Sequence, residues 1–212
     1  MSTTNKCFML LRPHLHQETK TNFSDFYYFK SAFTEDMLKR LDDMIYSNGY
    51  KFENGKTSDS YGNSSDDPTS NIRRIAYVNP VEHSKWLYDA LEPLVLQANR
   101  ELYNFDIQYV TDPIHYVIYP PEGGHLRWHM DVGYGEVNRR KLSLTVQLSD
   151  PSEYEGGDFH IWYGGDEGQF ITMPKEKGTV LIFPSFLMHR VTPVTKGTRK
   201  ALVFWTGGEP YK

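Results

Sequence analysis

The 212-residue chain carries 23 basic and 27 acidic side chains, a formal net charge of -4, which argues against a general nucleic-acid or anionic-membrane binder. Its single cysteine, Cys7, excludes an intrachain disulfide framework, an all-thiolate zinc site and an iron–sulfur cluster. Any transition-metal site must therefore draw on carboxylates and on the eight histidines.

The first predicted element is a helix over Thr34–Asn48. Thr34 can cap its first turn, Glu35 and Asp36 suit the positive end, and Gly49 can stop it. Met37, Leu38, Leu41, Met44 and Ile45 recur with the 3.6-residue period and give it one apolar face. Residues 53–71, rich in Ser, Gly and Asp, read as a mobile surface loop that can act as a lid. A second helical stretch is predicted from Val81 to Tyr103, with Leu87, Leu91, Leu94, Ala98 and Leu102 as its buried stripe and Pro93 as a kink or break. Beyond Asn104 the texture changes. Short runs such as IHYVIY, KLSLTVQL, GDFHIW, GTVLIF and ALVFWT alternate with Gly, Pro and Asp turns, the pattern of an antiparallel sandwich or jelly roll. The expected organisation is one domain over residues 1–212, with a helical support region (1–104) packed on a β core (105–212).

Two segments carry the chemistry. In Trp128-His129-Met130-Asp131, an extended backbone would project His129 and Asp131 from the same face. The second segment, FPSFLMHRV, supplies His189. Two imidazoles and one carboxylate on one side of a metal form the facial triad of non-haem Fe(II) oxygenases, whose opposite positions stay open. A lone His-x-Asp is common by chance and reads equally as an ordinary strand end. Arg199 shifts that balance. The Pro193–Gly197 turn lets the strand after His189 run back beside it. Arg199 then opens an apolar run, where a buried guanidinium calls for an anionic partner and its planar fork suits a carboxylate.

The pieces WLYDALEPLVLQANRELYNFDI, YPPEGGHLRWHMDVG, RKLSLTVQLSDPSEYEGGDFHIW and GTVLIFPSFLMHRVTPVTKGTRKALVFW resemble the Fe(II)- and 2-oxoglutarate-dependent dioxygenases of the prolyl 4-hydroxylase-like branch. Within it they are most similar to bacterial and phage hydroxylases of the prolyl/lysyl hydroxylase domain type. The resemblance implies a mainly β protein, a double-stranded β-helix (jelly roll) with N-terminal helices packed on one sheet. It implies His129, Asp131 and His189 as iron ligands and Arg199 as the partner of the distal 2-oxoglutarate carboxylate. It also places Tyr119, Ser143 and Gln147 at the co-substrate pocket and Trp205 near its floor. The implied cofactors are Fe(II), 2-oxoglutarate and O2, with ascorbate in a supporting role. The implied reaction is hydroxylation of an unactivated C–H bond, with a prolyl residue in a peptide or protein as the leading substrate. Leu126, His115 and Gln147 depart from residues common in relatives, which leaves room for a free amino acid, a small metabolite or a nucleobase. A non-catalytic jelly-roll binding module is the third reading.

The other histidines read more plainly. His125 and His129 would form a two-histidine zinc face only on a helix, which Gly123 and Gly124 oppose, and no HExxH glutamate accompanies them. His14 and His16 fit a solvated arm, and His160 fits a sheet face; His83 and His115 show no partner. Glu155–Gly157 reads as a turn, not a phosphate loop. No run reaches the ~20 apolar residues of a membrane-spanning helix. The N-terminal stretch lacks a signal's apolar core, so the expected location is the cytoplasm, without a membrane partner.

Overall fold

The computed structural model describes residues 26–58, 64–65, 71–164 and 169–211. Helix α1 (Glu35–Ser47) forms as its capping residues dictate. The Thr34 side chain accepts from the Met37 amide, Glu35 and Asp36 occupy the first turn, and Leu38, Leu41, Met44 and Ile45 are buried. Helix α2 (Lys85–Ala98) buries Leu87, Leu91, Val95 and Ala98. Pro93 does not split it. Residue 93 lies on the exposed face, where the carbonyl that loses its amide donor can bond water instead. The helix ends in a wider turn, Asn99–Tyr103, and Asn104 leaves it with φ of 51°. The Asn99 side chain holds that exit through both the amide and the carbonyl of Phe105.

The strands are β1 (Tyr27–Phe29), β2 (Glu53–Asn54), β3 (Thr57–Ser58), β4 (Ser64–Ser65), β5 (Asn71–Ile72), β6 (Arg74–Val78), β7 (Tyr109–Val110), β8 (Ile114–Tyr119), β9 (His125–His129), β10 (Arg140–Gln147), β11 (Tyr154–Gly156), β12 (Phe159–Trp162), β13 (Phe170–Thr172), β14 (Val180–Pro184), β15 (His189–Val191), β16 (Val194–Gly197) and β17 (Arg199–Gly207). A major antiparallel sheet runs β1-β14-β10-β17-β8-β6-β2, with β7 also on β17, and a minor sheet runs β13-β12-β15-β9-β5. This is the mainly β, two-sheet jelly-roll architecture expected of the back half.

The period-2 alternation of the central strands divides the protein into layers. On β10, Leu142, Leu144 and Val146 face the helices, in a core shared with Leu41, Ile45, Leu87, Leu91, Ile182, Leu202 and Phe204. The alternate residues of the major sheet, including Ile75, Val117, Tyr119, Leu181 and Phe183, meet Leu126, Phe159, Ile161 and Val191 of the minor sheet in a second core. Helix packing and the interior between the sheets are thus separate layers. Leu91→Ala should cost about 2–5 kcal/mol through the helix layer alone. Thermal unfolding alongside metal titration checks this: a lower melting temperature with unchanged metal affinity is expected.

Three sequence expectations need correction. The front region is more than helical support, because β1, β2 and β6 join the major sheet and β5 joins the minor one. The alternating run RIAYV of β6 pairs with β8, and such long-range pairing leaves little local trace. Within the predicted 53–71 loop, β2 pairs with β6 and β3 with β4; residues 59–63 and 66–70 lie outside the described residues. Finally, the strand carrying Arg199 does not run beside that of His189. Strand β15 pairs with β9 and β12 in the minor sheet, β16 pairs with β11, and β17 lies between β10 and β8 in the major sheet. The turn near Gly197 (φ 67°) therefore leads from the two-stranded β11–β16 sheet into the major sheet.

Candidate functional site

His129 closes β9 and His189 opens β15, and the two residues are register partners. Their rings lie 4.1 Å apart between centroids. A bulge separates this pair from Val191↔Leu126, and it allows His129 and Leu126 both to face inward although three positions separate them. Asp131 follows β9, and its amide donates to the Ser185 carbonyl at 2.9 Å. Asp131 Oδ1 lies 3.5 Å from His129 Nε2 and Oδ2 lies 3.5 Å from His189 Nε2. One donor atom from each residue falls within 4.8 Å of the other two. The sequence-predicted triad is brought together.

The protonation of this cluster suits cation binding. Each Nδ1 lies 2.8 Å from the carbonyl two residues back, Arg127 for His129 and Leu187 for His189. A carbonyl only accepts, so each Nδ1 carries the proton and each Nε2 presents its lone pair to the centre. Burial, then the neighbouring His129, push the His189 pKa down to about 4, which keeps it neutral at physiological pH. Burial alone would raise the Asp131 carboxyl, but His189, His129 and Arg140 outweigh it and hold it well below the usual range. Two imidazole Nε2 atoms and a carboxylate at one point form a donor set for a divalent first-row metal.

Ser143 was expected at the co-substrate pocket; its hydroxyl instead donates to Asp131 Oδ2 at 2.6 Å. Ser185 Oγ lies 3.0 Å from Ser143 Oγ and supplies the next donor, since the single Ser143 proton is already used. Removing this support in Ser143→Ala should weaken Fe(II) affinity about 10–100-fold while the melting temperature stays close to wild type. Calorimetric metal titration together with thermal denaturation reads both.

At the opposite end of the inner face of β10, Gln147 meets Arg199. Arg199 is 1% exposed. Its Nη2 donates to Gln147 Oε1 at 2.9 Å, and Gln147 Nε2 donates to the Pro174 carbonyl. The guanidinium lies 5.0 Å from the Tyr119 ring, whose residue is its register partner across the sheet. Arg199 Nε and Nη1 are buried and have no hydrogen-bond acceptor. An unpaired buried guanidinium is costly, and its vacant N–H groups call for an anionic acceptor such as a carboxylate. Gly157 helps to make the space: at φ 60°, a methyl group on it would meet Arg199 Cδ at 2.9 Å. The Glu155–Gly157 turn thus has a packing role as well.

Sequence reasoning missed Arg140. Its Nε and Nη2 clasp Asp112 at 2.9 and 2.8 Å, and Nη1 donates to the Asp131 carbonyl at 3.2 Å. The guanidinium stacks 4.0 Å from the Trp205 ring, and His115 meets that same Trp205 ring edge-on at 4.7 Å. A charged residue at the start of a strand gave no local signal of these long-range contacts. Among the remaining histidines, His125 lies in β9, which removes the helical zinc face. His160 packs on a sheet face, stacked on Phe170 at 4.0 Å, and His83 pairs with the Tyr50 hydroxyl. His14 and His16 lie outside the described residues, and no described helix is long and apolar enough to cross a membrane.

Comparison with known proteins agrees with this arrangement. Residues 114–207 match the family model of the 2OG-Fe(II) oxygenase superfamily. A PKHD-type hydroxylase of Synechococcus sp. (strain CC9605) is 41% identical over 78 residues, which cover 37% of this chain and 34% of that relative. The chain thus matches only about a third of that relative's length. The fold resembles a prolyl hydroxylase from Trichoplax adhaerens, solved with a hypoxia inducible factor oxygen degradation domain peptide fragment, at a TM-score of 0.68 and 20% identity over 89% of this chain and 84% of that one. It also resembles the viral collagen prolyl hydroxylase of Paramecium Bursaria Chlorella virus-1 in its 2OG complex, at a TM-score of 0.63 and 16% identity over 88% of this chain and 97% of that one. At such identities the two structures speak for the fold. The family match thus falls on the strands that build the site, β8 to β17, and the solved structures share this two-sheet framework.

Proposed function

We propose that the protein is an Fe(II)- and 2-oxoglutarate-dependent hydroxylase acting on an unactivated C–H bond, with a prolyl residue in a peptide or protein as its substrate. The single observation that carries this reading is the pairing of two incomplete sites inside one barrel. His129, Asp131 and His189 converge on a point suited to a divalent metal, and Arg199 presents two unpaired buried donors. Ser143 at the triad end and Gln147 at the Arg199 end stand four residues apart on β10, about 13 Å along a strand. Allowing for the reach of the Asp131 and Arg199 side chains, that spacing suits a short diacid held between metal and guanidinium.

In this reading His129 Nε2, His189 Nε2 and an Asp131 carboxylate oxygen hold the iron, and Ser143 and Arg140 hold Asp131 in place. Arg199 receives the distal carboxylate of 2-oxoglutarate, with Gln147 and Tyr119 fixing the guanidinium. Iron, 2-oxoglutarate and O2 together supply the oxidising power, and 2-oxoglutarate leaves as succinate and carbon dioxide. The chain orients these groups and surrounds them with the apolar residues of the inter-sheet core, which exclude water. The single cysteine and an Fe(II) centre fit a reducing compartment such as the cytoplasm. Incubating the Fe(II)-loaded protein with 2-oxoglutarate, ascorbate and proline-containing peptides tests the substrate assignment. A gain of one oxygen on proline, located by fragmentation mass spectrometry, is expected; oxygen gain only on free amino acids or nucleobases would contradict it.

A further inference from the structure

The minor sheet carries apolar side chains on both faces, and the metal site uses only one of them. Phe159, Ile161 and Val191 lie in the core between the sheets, so by alternation His160, Trp162 and Arg190 turn to the opposite face. Register pairs His160 with Arg190 and Trp162 with Phe170. Trp128 joins them: its ring meets Trp162 edge-on at 5.3 Å and Phe170 at 6.2 Å. The Arg190 guanidinium lies 4.5 Å from the Trp128 ring and 5.1 Å from that of Phe170, and its Nε donates to His160 Nδ1 at 3.1 Å. Trp128, Trp162 and Phe170 belong to neither hydrophobic core and are only half-buried.

An antiparallel sheet with one buried face ordinarily carries polar side chains on the other. The outer face of the major sheet is covered by α1 and α2, but the core they form there includes no residue of the minor sheet. The outer face of the minor sheet instead has the composition of a protein interface, where aromatic residues, Met and Arg are enriched and Lys, Glu and Asp are scarce. Its charge is one-sided. Arg127, next to Trp128, is exposed, and among the described residues no carboxylate pairs with Arg127 or Arg190. Asp158, the acid just before β12, is taken by Lys175 at 3.1 Å. The face is also continuous with the reaction centre. Trp128 and Arg190 are chain neighbours of His129 and His189, and Met130 and Met188, 50% and 36% exposed, extend it to the strand ends where the triad sits.

We infer that this outer face, centred on Trp128, Trp162 and Arg190, is a docking surface for the protein substrate, which it holds by an acidic segment away from the residue to be oxidised. This rests on the hydroxylase reading above and names the partner of that activity. Carboxylates of the segment take the open donors of Arg127 and Arg190, and its apolar groups cover the tryptophan rings. The net charge of -4 disfavours a nucleic acid on the same rings. A second copy bound through a two-fold contact sets the same cationic face against itself.

The test is binding of the full chain, without Fe(II) or 2-oxoglutarate, to an array of short random peptides. A thymidine oligonucleotide and a sedimentation run serve as parallel probes. Wild type should retain peptides that combine Asp or Glu with apolar residues about tenfold over the same sequences carrying Asn and Gln, and the preference should fade at high salt. Trp162→Ala should weaken capture about 30-fold and Arg190→Gln should abolish the acidic preference, while both keep wild-type circular dichroism and Fe(II) affinity. Joined to a proline-containing substrate peptide, a captured sequence should lower its KM about tenfold in wild type but not in Trp162→Ala, with kcat unchanged. The inference is overturned if wild type shows no preference for acidic peptides, if both folded variants capture them as wild type does, or if the joined sequence leaves KM unchanged. It is equally overturned if the variants lose only oligonucleotide binding or only self-association. Failure of the hydroxylase reading would show separately, as absent succinate release in air with peptide capture intact.

Discussion

His189→Ala is expected to lower turnover of 2-oxoglutarate about 10³-fold or more, close to 4 kcal/mol of lost stabilisation, together with a comparable loss of Fe(II) affinity. The physical reason is the closeness of the donor set. His189 supplies one of the three ligand atoms that converge among the described residues; burial favours its neutral form, and the Leu187 carbonyl at Nδ1 fixes the tautomer that turns Nε2 to the centre. The ring also packs against Phe183 at 4.8 Å and Phe159 at 5.5 Å, so truncation leaves a cavity as well. His189→Gln keeps more of that volume but not the imidazole. Both variants should lose metal binding by calorimetry while their far-ultraviolet circular dichroism stays native. Metal affinity within a few fold of wild type would remove His189 from the ligand set.

Arg199→Met carries the second large effect and separates function from stability. Truncating one partner of a buried, hydrogen-bonded charge pair costs about 2–5 kcal/mol, which corresponds to about a 30-fold to several-thousandfold rise in the KM for 2-oxoglutarate. Without 2-oxoglutarate the opposite holds for folding. Arg199 is 1% exposed with two nitrogens unpaired, and replacing an uncompensated buried cation by an apolar side chain of similar length is often neutral or stabilising. The melting temperature of the ligand-free variant should therefore equal or exceed that of wild type. Added 2-oxoglutarate should raise the wild-type value and leave the variant's unchanged. Arg199→Lys restores a charge without the planar fork, so its KM should fall between the two. Equal stabilisation of wild type and Arg199→Met by 2-oxoglutarate would contradict the assigned role.

What the sequence could disclose follows the range of the interactions involved. Helix α1 was legible to within a residue because Thr34, Glu35, Asp36 and the apolar period all act within one or two turns. Strand identity in the back half was legible from alternation, and the inward set Ser143 and Gln147 followed from it. Partners were less so. That Ser143 donates to Asp131, and that Gln147 holds Arg199, depends on β14 and β17 flanking β10, which is a property of the whole sheet. The same reason hid the separate sheets of β15 and β17. Turn chemistry at Pro193 and Gly197 says that the chain bends, not which strand it meets next. Strand β6 and the Arg140–Asp112 clasp were hidden for this reason too, since each is assembled from segments far apart in sequence. The convergence of His129, Asp131 and His189 could be anticipated because the oxygenase resemblance supplied the long-range information that local rules lack.

The central claim is tested most directly by measuring succinate formed from 2-oxoglutarate by the purified protein with and without Fe(II). The account predicts Fe(II)-dependent succinate release that collapses in both His189→Ala and Arg199→Met. Absence of succinate from a folded, Fe(II)-supplemented wild type, or release that persists undiminished in both variants, would contradict it.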